Sequence, residues 1–475
     1  MVEAAGATSV DNPLETIARF VVDLAGDSVP GGALRAAARA AVDYLGVAVA
    51  GAADPQVRSL AAYARETYSD GRATLIGTDE RLTAEAAAYV NGAAGHLLDF
   101  DDYNEVFGGH PTAVVLPAAL ALAEVSGRTT RETLEAYVIG VEVAIALGRC
   151  LNYVHYERGW HPTATLGIFG ATAASCRLLH LDVPSTQRAL AVAASFASGI
   201  KGNFGSFVKP LQVGFAASKG IQAARLASIG VTANSDVFRG EQSFPAVFNN
   251  AGGQIDWSPL ARLGQQFDIV ESGLIVKLYP CCGSTHGAID AMLDLRVRDR
   301  IEPDAIARIE VFEHPRRLGH TNRPDPVTGL QAKFSVQYVV ARAALSGRVE
   351  MRDFEPDRIH EAGVLAMLAK VAVGVLPPEL QAVTPGRKDC FAATVRVRDV
   401  RGEIHSLHVQ GPHGSTPEVP ISDSDLEAKF IDTSGTALGP AGARRAYATI
   451  ARWVSGDVGL AVLMSSLVPV SPRAD

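Results

Sequence analysis

Apolar residues recur every three or four positions through roughly the first 270 residues, a spacing that predicts helix after helix. In DNPLETIARFVVDLAG, Leu14, Ile17, Val21 and Leu24 fall on one face. Asn12 is placed to cap that helix, with Pro13 at its first position and Glu15 in its first turn. GGALRAAARAAVDYLGVAVAG and TAEAAAYVNGAAGHLL present alanine to their neighbours. TTRETLEAYVIGVEVAIALG opens on a Thr129–Glu132 capping box, and VGFAASKGIQAARLASIG closes at Gly230. Helices apolar on several faces belong inside a large helical domain.

Near residue 272 the period changes. ARIEVFEH, residues 307–314, alternates as a strand does. ATVRVRDVRGEIHSLHVQ, residues 393–410, alternates, turns near Gly402 and alternates again, as a hairpin would. Helical patterns lie between them, in QAKFSVQYVVARAAL and EAGVLAMLAKVAV, and return from SDSDLEAKF to about residue 466. The pattern predicts a mainly α chain. A large all-helical domain takes residues 12–271 and 418–467, and a smaller α+β domain, 272–417, is inserted between its parts. A chain of 475 residues fits two or three domains, and its 48% hydrophobic content is that of a core-forming protein. With only 7% aromatics, that core is expected to be close-packed helices.

The formal charge of −8 argues against nucleic acid or an anionic membrane as partner, and leaves room for a small anionic substrate in a local basic pocket. The first residues show neither a basic region nor an apolar run, and no stretch offers eighteen consecutive apolar residues, so neither a signal peptide nor a membrane span is expected. Five cysteines without a C-x-x-C pair fit a reducing cytoplasm better than a disulfide framework. Of 43 basic residues only eight are lysine, so each retained lysine marks a position enriched for sites that want a compact ammonium.

The gap between two apolar runs holds the densest chemistry. HLLDFDDYNEVFGGHPTAVVLPAALALAE, residues 96–124, carries Asp99, Asp101, Asp102, Glu105 and then His110. Asp99 follows directly on Leu97 and Leu98, so at least one carboxylate is expected to start out buried. His110 precedes Pro and Thr at a helix start, where free N–H groups favour an anion. ERGWHPTATLGIFGA repeats this setting at His161, and the pair predicts two imidazoles at one anion site. The plain alternative is a solvated acidic loop. D-x-D-D is also the protonation motif of class II terpene cyclases, but carbocation chemistry wants an aromatic-lined pocket, and the chain holds only 31 Phe, Trp and Tyr. A calcium loop fails at Tyr103, and no metal site is expected.

Lys209 in GNFGSFVKPLQVGFAASKG and Lys277 in LIVKLYPCCGSTHGAIDAML stand in apolar text ahead of helices. A lysine there finds an anion, loses its proton or snorkels. Cys281 and Cys282 read as a nucleophile, as metal ligands or as small buried side chains. Carboxylates, histidines and ammonium groups together form a set for moving a proton next to a carboxylate. Histidine passes protons, and lysine holds carboxylates and steadies a developing enolate. Dehydration, decarboxylation and epimerisation all fit.

LLDFDD, GHPTAVVLPAALALAE, GWHPTATLG, VKPLQVGFAASKG, VKLYPCCGSTHGAIDA, NRPDP and AKFSVQY together resemble the MmgE/PrpD family, in family order over nearly the whole chain. The resemblance implies a large helical domain, a smaller α+β lid domain and a homodimer. It also implies an active site between the domains that needs no metal or organic cofactor. It places Asp99, His110 and His161 in catalysis, with Asp99 orienting a histidine. It gives substrate contacts to Lys209, Lys277 and His286. Tyr103 stands where the family continues with threonine, and His320 where a decarboxylase-like member would carry tyrosine, so both are expected to bear on substrate choice. HPTAV replaces the HPSDN of 2-methylcitrate dehydratases. The leading expectation is a cofactor-independent hydro-lyase of the 2-methylcitrate dehydratase type, acting on a small di- or tricarboxylate. The alternatives are a cis-aconitate-type decarboxylase, an epimerase, and a catalytically silent polycarboxylate-binding member.

Overall fold

Small residues decide how closely these helices pack. The structure, a computed structural model, describes residues 10–249, 255–381, 391–412 and 421–469. Its helical part is built on Pro13–Asp23, Gly31–Ala52, Ala84–Leu97, Pro111–Ser126, Thr130–Leu151, Gly167–Leu178, Val183–Phe196 and Val208–Ser228. The expected caps form: Asn12 accepts from the Glu15 N–H at 3.2 Å, and Thr129 and Glu132 close their box. Pro111–Ser126 is buried from Pro111 to Ala123, which explains its lack of a polar face. Where Ala84–Leu97 crosses Val208–Ser228, a Cβ on Gly214 would lie 2.0 Å from the Tyr89 carbonyl oxygen, so only glycine lets these backbones touch.

A two-stranded antiparallel ladder, Asp70–Thr74 with Arg81–Leu82, joins the helical part, where the sequence pattern had shown only helices. It is held from the side: the Glu124 carboxylate accepts from the Thr74 N–H at 2.8 Å and from its hydroxyl at 2.6 Å.

The α+β part carries a four-stranded sheet. Ile306–Glu313 lies between Val371–Val375, which runs parallel to it, and Ala393–Asp399, which runs antiparallel; Ile404–Val409 completes the hairpin through Gly402. Val311 pairs with Val373 on one side and Val395 on the other. EAGVLAMLAKVAV, expected to be helical throughout, is helical only over Ala362–Leu368. Its β-branched Val371 and Val373 instead extend the sheet, because pairing with Ile306–Glu313 outweighs a short helical period. QAKFSVQYVVARAAL divides into Gly329–Ala332 and Val336–Ser346, since Ser335 caps the second helix by accepting from the Tyr338 N–H.

The larger buried apolar cluster draws on residues 14–269 and 430–467, and a second on residues 281–409. Asp423–Val454 returns the chain to the first cluster and is broken at Gly439, which precedes Pro440. Lys388, Cys390 and the expected boundary at 417–418 lie outside the described residues. No single helix among the described residues is long and apolar enough to cross a membrane.

Candidate active site

The Ala84–Leu97 helix delivers the acidic loop. After Leu98 the chain turns at Asp99, whose φ of 53° is the left-handed conformation that aspartate tolerates better than most residues. Tyr103 pairs in both directions with Ile275, and the Asn104 amide donates to the Ser272 hydroxyl and the Gly273 carbonyl. These bonds pin the loop to the segment that carries Lys277. At its far end a Cβ on Gly109 would lie 2.6 Å from the Thr163 hydroxyl, so the loop touches the His161 helix start directly. The His110 N–H donates to that same hydroxyl at 3.1 Å. Thus the two H-P-T helix starts are bonded neighbours.

A cleft lined from both the helical and the α+β parts opens here, with about 630 Å³ of empty space including its mouth. Asp99, Tyr103, His110, His161, Lys209, Lys277 and His320 all line it, so seven of the eight expected site residues meet in one place. His286 does not. It is buried behind the cleft, its Nε2 3.3 Å from the Cys281 carbonyl and its ring against Tyr279. Burial, then the Lys277 ammonium, pushes this imidazole down to about 3. The family resemblance implies a substrate contact for this position; at the start of His286–Arg298 its side chain is turned inward instead. Of the cysteines, Cys282 lines the cleft, and burial raises its thiol, so no thiolate nucleophile is prepared there.

Asp99 collects ammonium groups. Its Oδ1 lies 2.5 Å from Lys209 Nζ and 3.1 Å from Lys277 Nζ, and Lys277 also donates to the Asp99 carbonyl at 2.8 Å. Burial alone would push the Asp99 carboxyl up, but Lys209 and Lys277 outweigh it and hold it well below the usual range. Asp99 Oδ2 has no hydrogen-bond partner among the described residues. The expected role of Asp99 in orienting a histidine therefore needs correction: its contacts go to lysines. Asp101 takes the histidines, its Oδ2 2.7 Å from His96 Nδ1 and 3.1 Å from His110 Nδ1. Two charged groups on Asp99 also speak against a cation held by His96, Asp99 and His110, although their ligand atoms fall within 4.8 Å of one another. Any cation there would face both ammonium groups.

His161 is oriented differently. Gln212 donates its amide N–H to the Ile200 carbonyl at 3.2 Å, which turns its Oε1 to His161 Nδ1 at 2.9 Å. An amide oxygen only accepts, so this network assigns the proton to Nδ1 and leaves the lone pair on Nε2. Burial, then His96 and Lys209, holds His161 well below its ordinary value, and burial lowers His110 against the pull of Asp101. Both rings are neutral bases in the open cleft. His320 donates to or accepts from the Ser284 hydroxyl at 3.2 Å.

Residues that the sequence did not single out complete the wall. Arg317 lines the cleft with its guanidinium 3.9 Å from the Phe391 ring centroid, and the Lys209 ammonium lies 4.8 Å from that of Phe334. His96 and Asp101 stood in the acidic stretch, but no helical or strand period brings positions five apart together; the left-handed turn at Asp99 does. Arg317 had no signal beyond its basic neighbours, Arg316 and Arg323.

Similarity to known proteins runs along the whole arrangement. The MmgE/PrpD N-terminal domain model matches residues 15–254 and the MmgE/PrpD C-terminal domain model residues 279–454. Human cis-aconitate decarboxylase is 31% identical over 406 residues, covering 82% of this chain and 81% of that protein. A cis-aconitate decarboxylase-like protein of Aspergillus oryzae is 27% identical over 457 residues, covering 91% and 92%, and the mouse cis-aconitate decarboxylase is 29% identical over 434 residues, covering 88% and 85%. Both halves of the chain are thus matched in order, and the protein belongs to the MmgE/PrpD family.

Proposed function

We propose that this protein is a lyase for a small tricarboxylate, acting as a decarboxylase of the cis-aconitate type. The observation that carries this reading is the composition of the cleft. Lys209, Lys277 and Arg317 stand against Asp99 and Glu105, so the wall keeps one net positive charge beside two neutral imidazoles. Such a site attracts a polyanion and offers it proton-transfer groups. The similarity to cis-aconitate decarboxylases over four fifths of the chain supports decarboxylation ahead of the hydro-lyase reading.

The chemistry balances with the chain's own groups. In cis-aconitate the CH₂-borne carboxylate is β,γ to a double bond. Its loss as carbon dioxide leaves the C–C bonding pair to form a new C=C. The former π pair moves to the carbon next to a retained carboxylate and takes one proton there. Charge builds on that carboxylate as a dienolate, which the lysine ammonium groups are placed to stabilise. His110 or His161 supplies the proton. Burial keeps both neutral, so the proton arrives with the substrate: a bound polyanion raises the imidazole pKa and recruits it from solvent.

The hydro-lyase is the second reading. It is favoured by the separate anchoring of His110 and His161, on Asp101 and Gln212, which suits one base and one acid. Incubation of the purified protein with cis-aconitate and 2-methylcitrate in deuterated water separates the two. The proposal expects carbon dioxide from cis-aconitate and one deuterium next to a carboxylate of the product. New alkene absorbance from the hydroxy acid without carbon dioxide would move the assignment to dehydration. Neither product would overturn both.

A further inference from the structure

We infer that Asp101 is a positioning residue for His110 and that His96 sets its strength, because one buried carboxylate oxygen serves both imidazoles. The inference deepens the reading of the cleft given above and rests on it for its kinetic part only.

Asp101 is wholly buried, and its Oδ2 lies 2.7 Å from His96 Nδ1 and 3.1 Å from His110 Nδ1. An ionised carboxylate has no proton to give, so His96 Nδ1, which is hydrogen-bonded to it, carries hydrogen. His110 Nδ1 stands at ion-pair distance, without an aligned hydrogen bond to any described residue, and the carboxylate charge beside it favours hydrogen on that nitrogen and the lone pair on Nε2. Burial would push this carboxyl up, but His110 and His96 hold it well below the usual range. His110 lines the cleft and His96 does not. The His96 ring meets that of His110 edge-on, with centroids 4.5 Å apart. His96 therefore reaches His110 through Asp101, and separately stacks on the His161 ring with centroids 5.8 Å apart. When His110 takes up a proton on Nε2, Asp101 stabilises the imidazolium. A carboxylate with a single imidazole partner would also compete for the Nδ1 proton. The second N–H, from His96, lowers its basicity and leaves that proton on His110. The other charged or titratable groups around the His110 ring are Asp99, Lys277, Lys209, His161 and Tyr103, and no hydrogen bond joins any of them to Nδ1.

Two substitutions must move His110 in opposite directions. Asp101→Asn removes the negative charge and can turn an amide N–H toward Nδ1, which lowers the His110 pKa and releases the tautomer. His96→Phe keeps a ring, removes one donor from Asp101 and raises the His110 pKa. A residue that merely closes the turn would produce neither opposed shift.

The test uses the full chain labelled with ¹⁵N-histidine, with His110 assigned by difference from His110→Asn. Long-range ¹H–¹⁵N correlation reads tautomer and titration without substrate. Expected are a fixed Nδ1–H tautomer in wild type, its loss in Asp101→Asn with a lower titration midpoint, and a higher midpoint in His96→Phe. An unchanged tautomer in Asp101→Asn, or shifts of the same sign in both variants, overturns the inference. Should Asp101→Asn fail to fold, an unmoved midpoint in His96→Phe overturns it alone. With cis-aconitate, kcat of Asp101→Asn is expected to fall by about 10²-fold with KM little changed. A wild type that turns over neither acid would sink the proposed function and leave the tautomer result standing.

Discussion

Asp99 stores strain and charge at one position. A non-glycine residue at positive φ costs about 1–3 kcal/mol and persists only where its surroundings hold it. Here two buried ammonium groups do so. Asp99→Asn keeps the shape and removes the charge, leaving Lys209 and Lys277 buried without their counter-ion. Breaking such a pair typically costs about 3–5 kcal/mol, so the urea midpoint at pH 7 should fall accordingly. An unchanged midpoint would mean that the lysines find another anion. The sign of the pH dependence follows from the direction of the shift. The Asp99 carboxyl sits below its unfolded value, so its contribution is present above about pH 4 and is lost as pH falls through the folded value. Acid unfolding of Asp99→Asn should therefore start from a less stable protein and show a shallower loss. At the same scale, His161→Asn should keep its fold and lose about 10²–10⁴-fold in turnover of cis-aconitate, which steady-state kinetics beside a circular dichroism spectrum would show.

Two helices aim the groups that meet at Asp99. Ala84–Leu97 leads into Asp99, and Lys209 sits in the first turn of Val208–Ser228. Gly92 meets Gly214, and Asp99 meets Lys209, so the helices run antiparallel with their crossing a turn or two from the ion pair. Gly214→Ala would drive a methyl into the Tyr89 carbonyl and spread that crossing, at about 1–3 kcal/mol, and should lower the melting temperature and the turnover together. Gly435→Ala is the matched control: it lies in a helix with nothing within 4 Å of its Cβ position, and should be neutral or stabilising by about 0.5–1 kcal/mol. Equal effects from both would rule out the crossing as the cause. The sequence showed that these helices are rich in small residues, because that is a matter of composition along one segment. Which glycine touches which is a matter of crossing angle, and Gly92 and Gly214 lie 122 positions apart along the chain. The same limit explains His286, whose segment was read correctly as a helix start while the direction of its side chain was not.

Lysine usage ties the two parts of the molecule together. Three successive carbonyls, of Leu98, Asp99 and Phe100, accept from Lys333 at 2.7 Å, Lys277 at 2.8 Å and Lys429 at 2.7 Å. Lys209 adds the Asp99 side chain, so four of the chain's eight lysines converge on this tripeptide. Their rarity was visible in the sequence, and Lys209 and Lys277 were found through the apolar text around them. Lys333 and Lys429 were not, because backbone carbonyls are acceptors that every residue carries and no pattern marks. Lys333 also donates to the Pro280 carbonyl at 2.6 Å, so it bonds the α+β segment to the end of the helix that bears the acidic loop. Burial pushes this ammonium down to about 8, against the pull of Asp99. Between that value and its unfolded value near 10.4 the unfolded chain binds the extra proton, so this group's contribution to stability rises with pH across the window. Lys333→Met removes the titration and both hydrogen bonds. Unfolding free energies of the two proteins, measured from pH 7 to 10, should diverge in favour of wild type above pH 8, and amides of Asp99 to Asp102 should exchange faster in the variant at every pH. A difference that stays flat with pH, with exchange unchanged, would mean that the tripeptide is held by Lys277 and Lys429 alone.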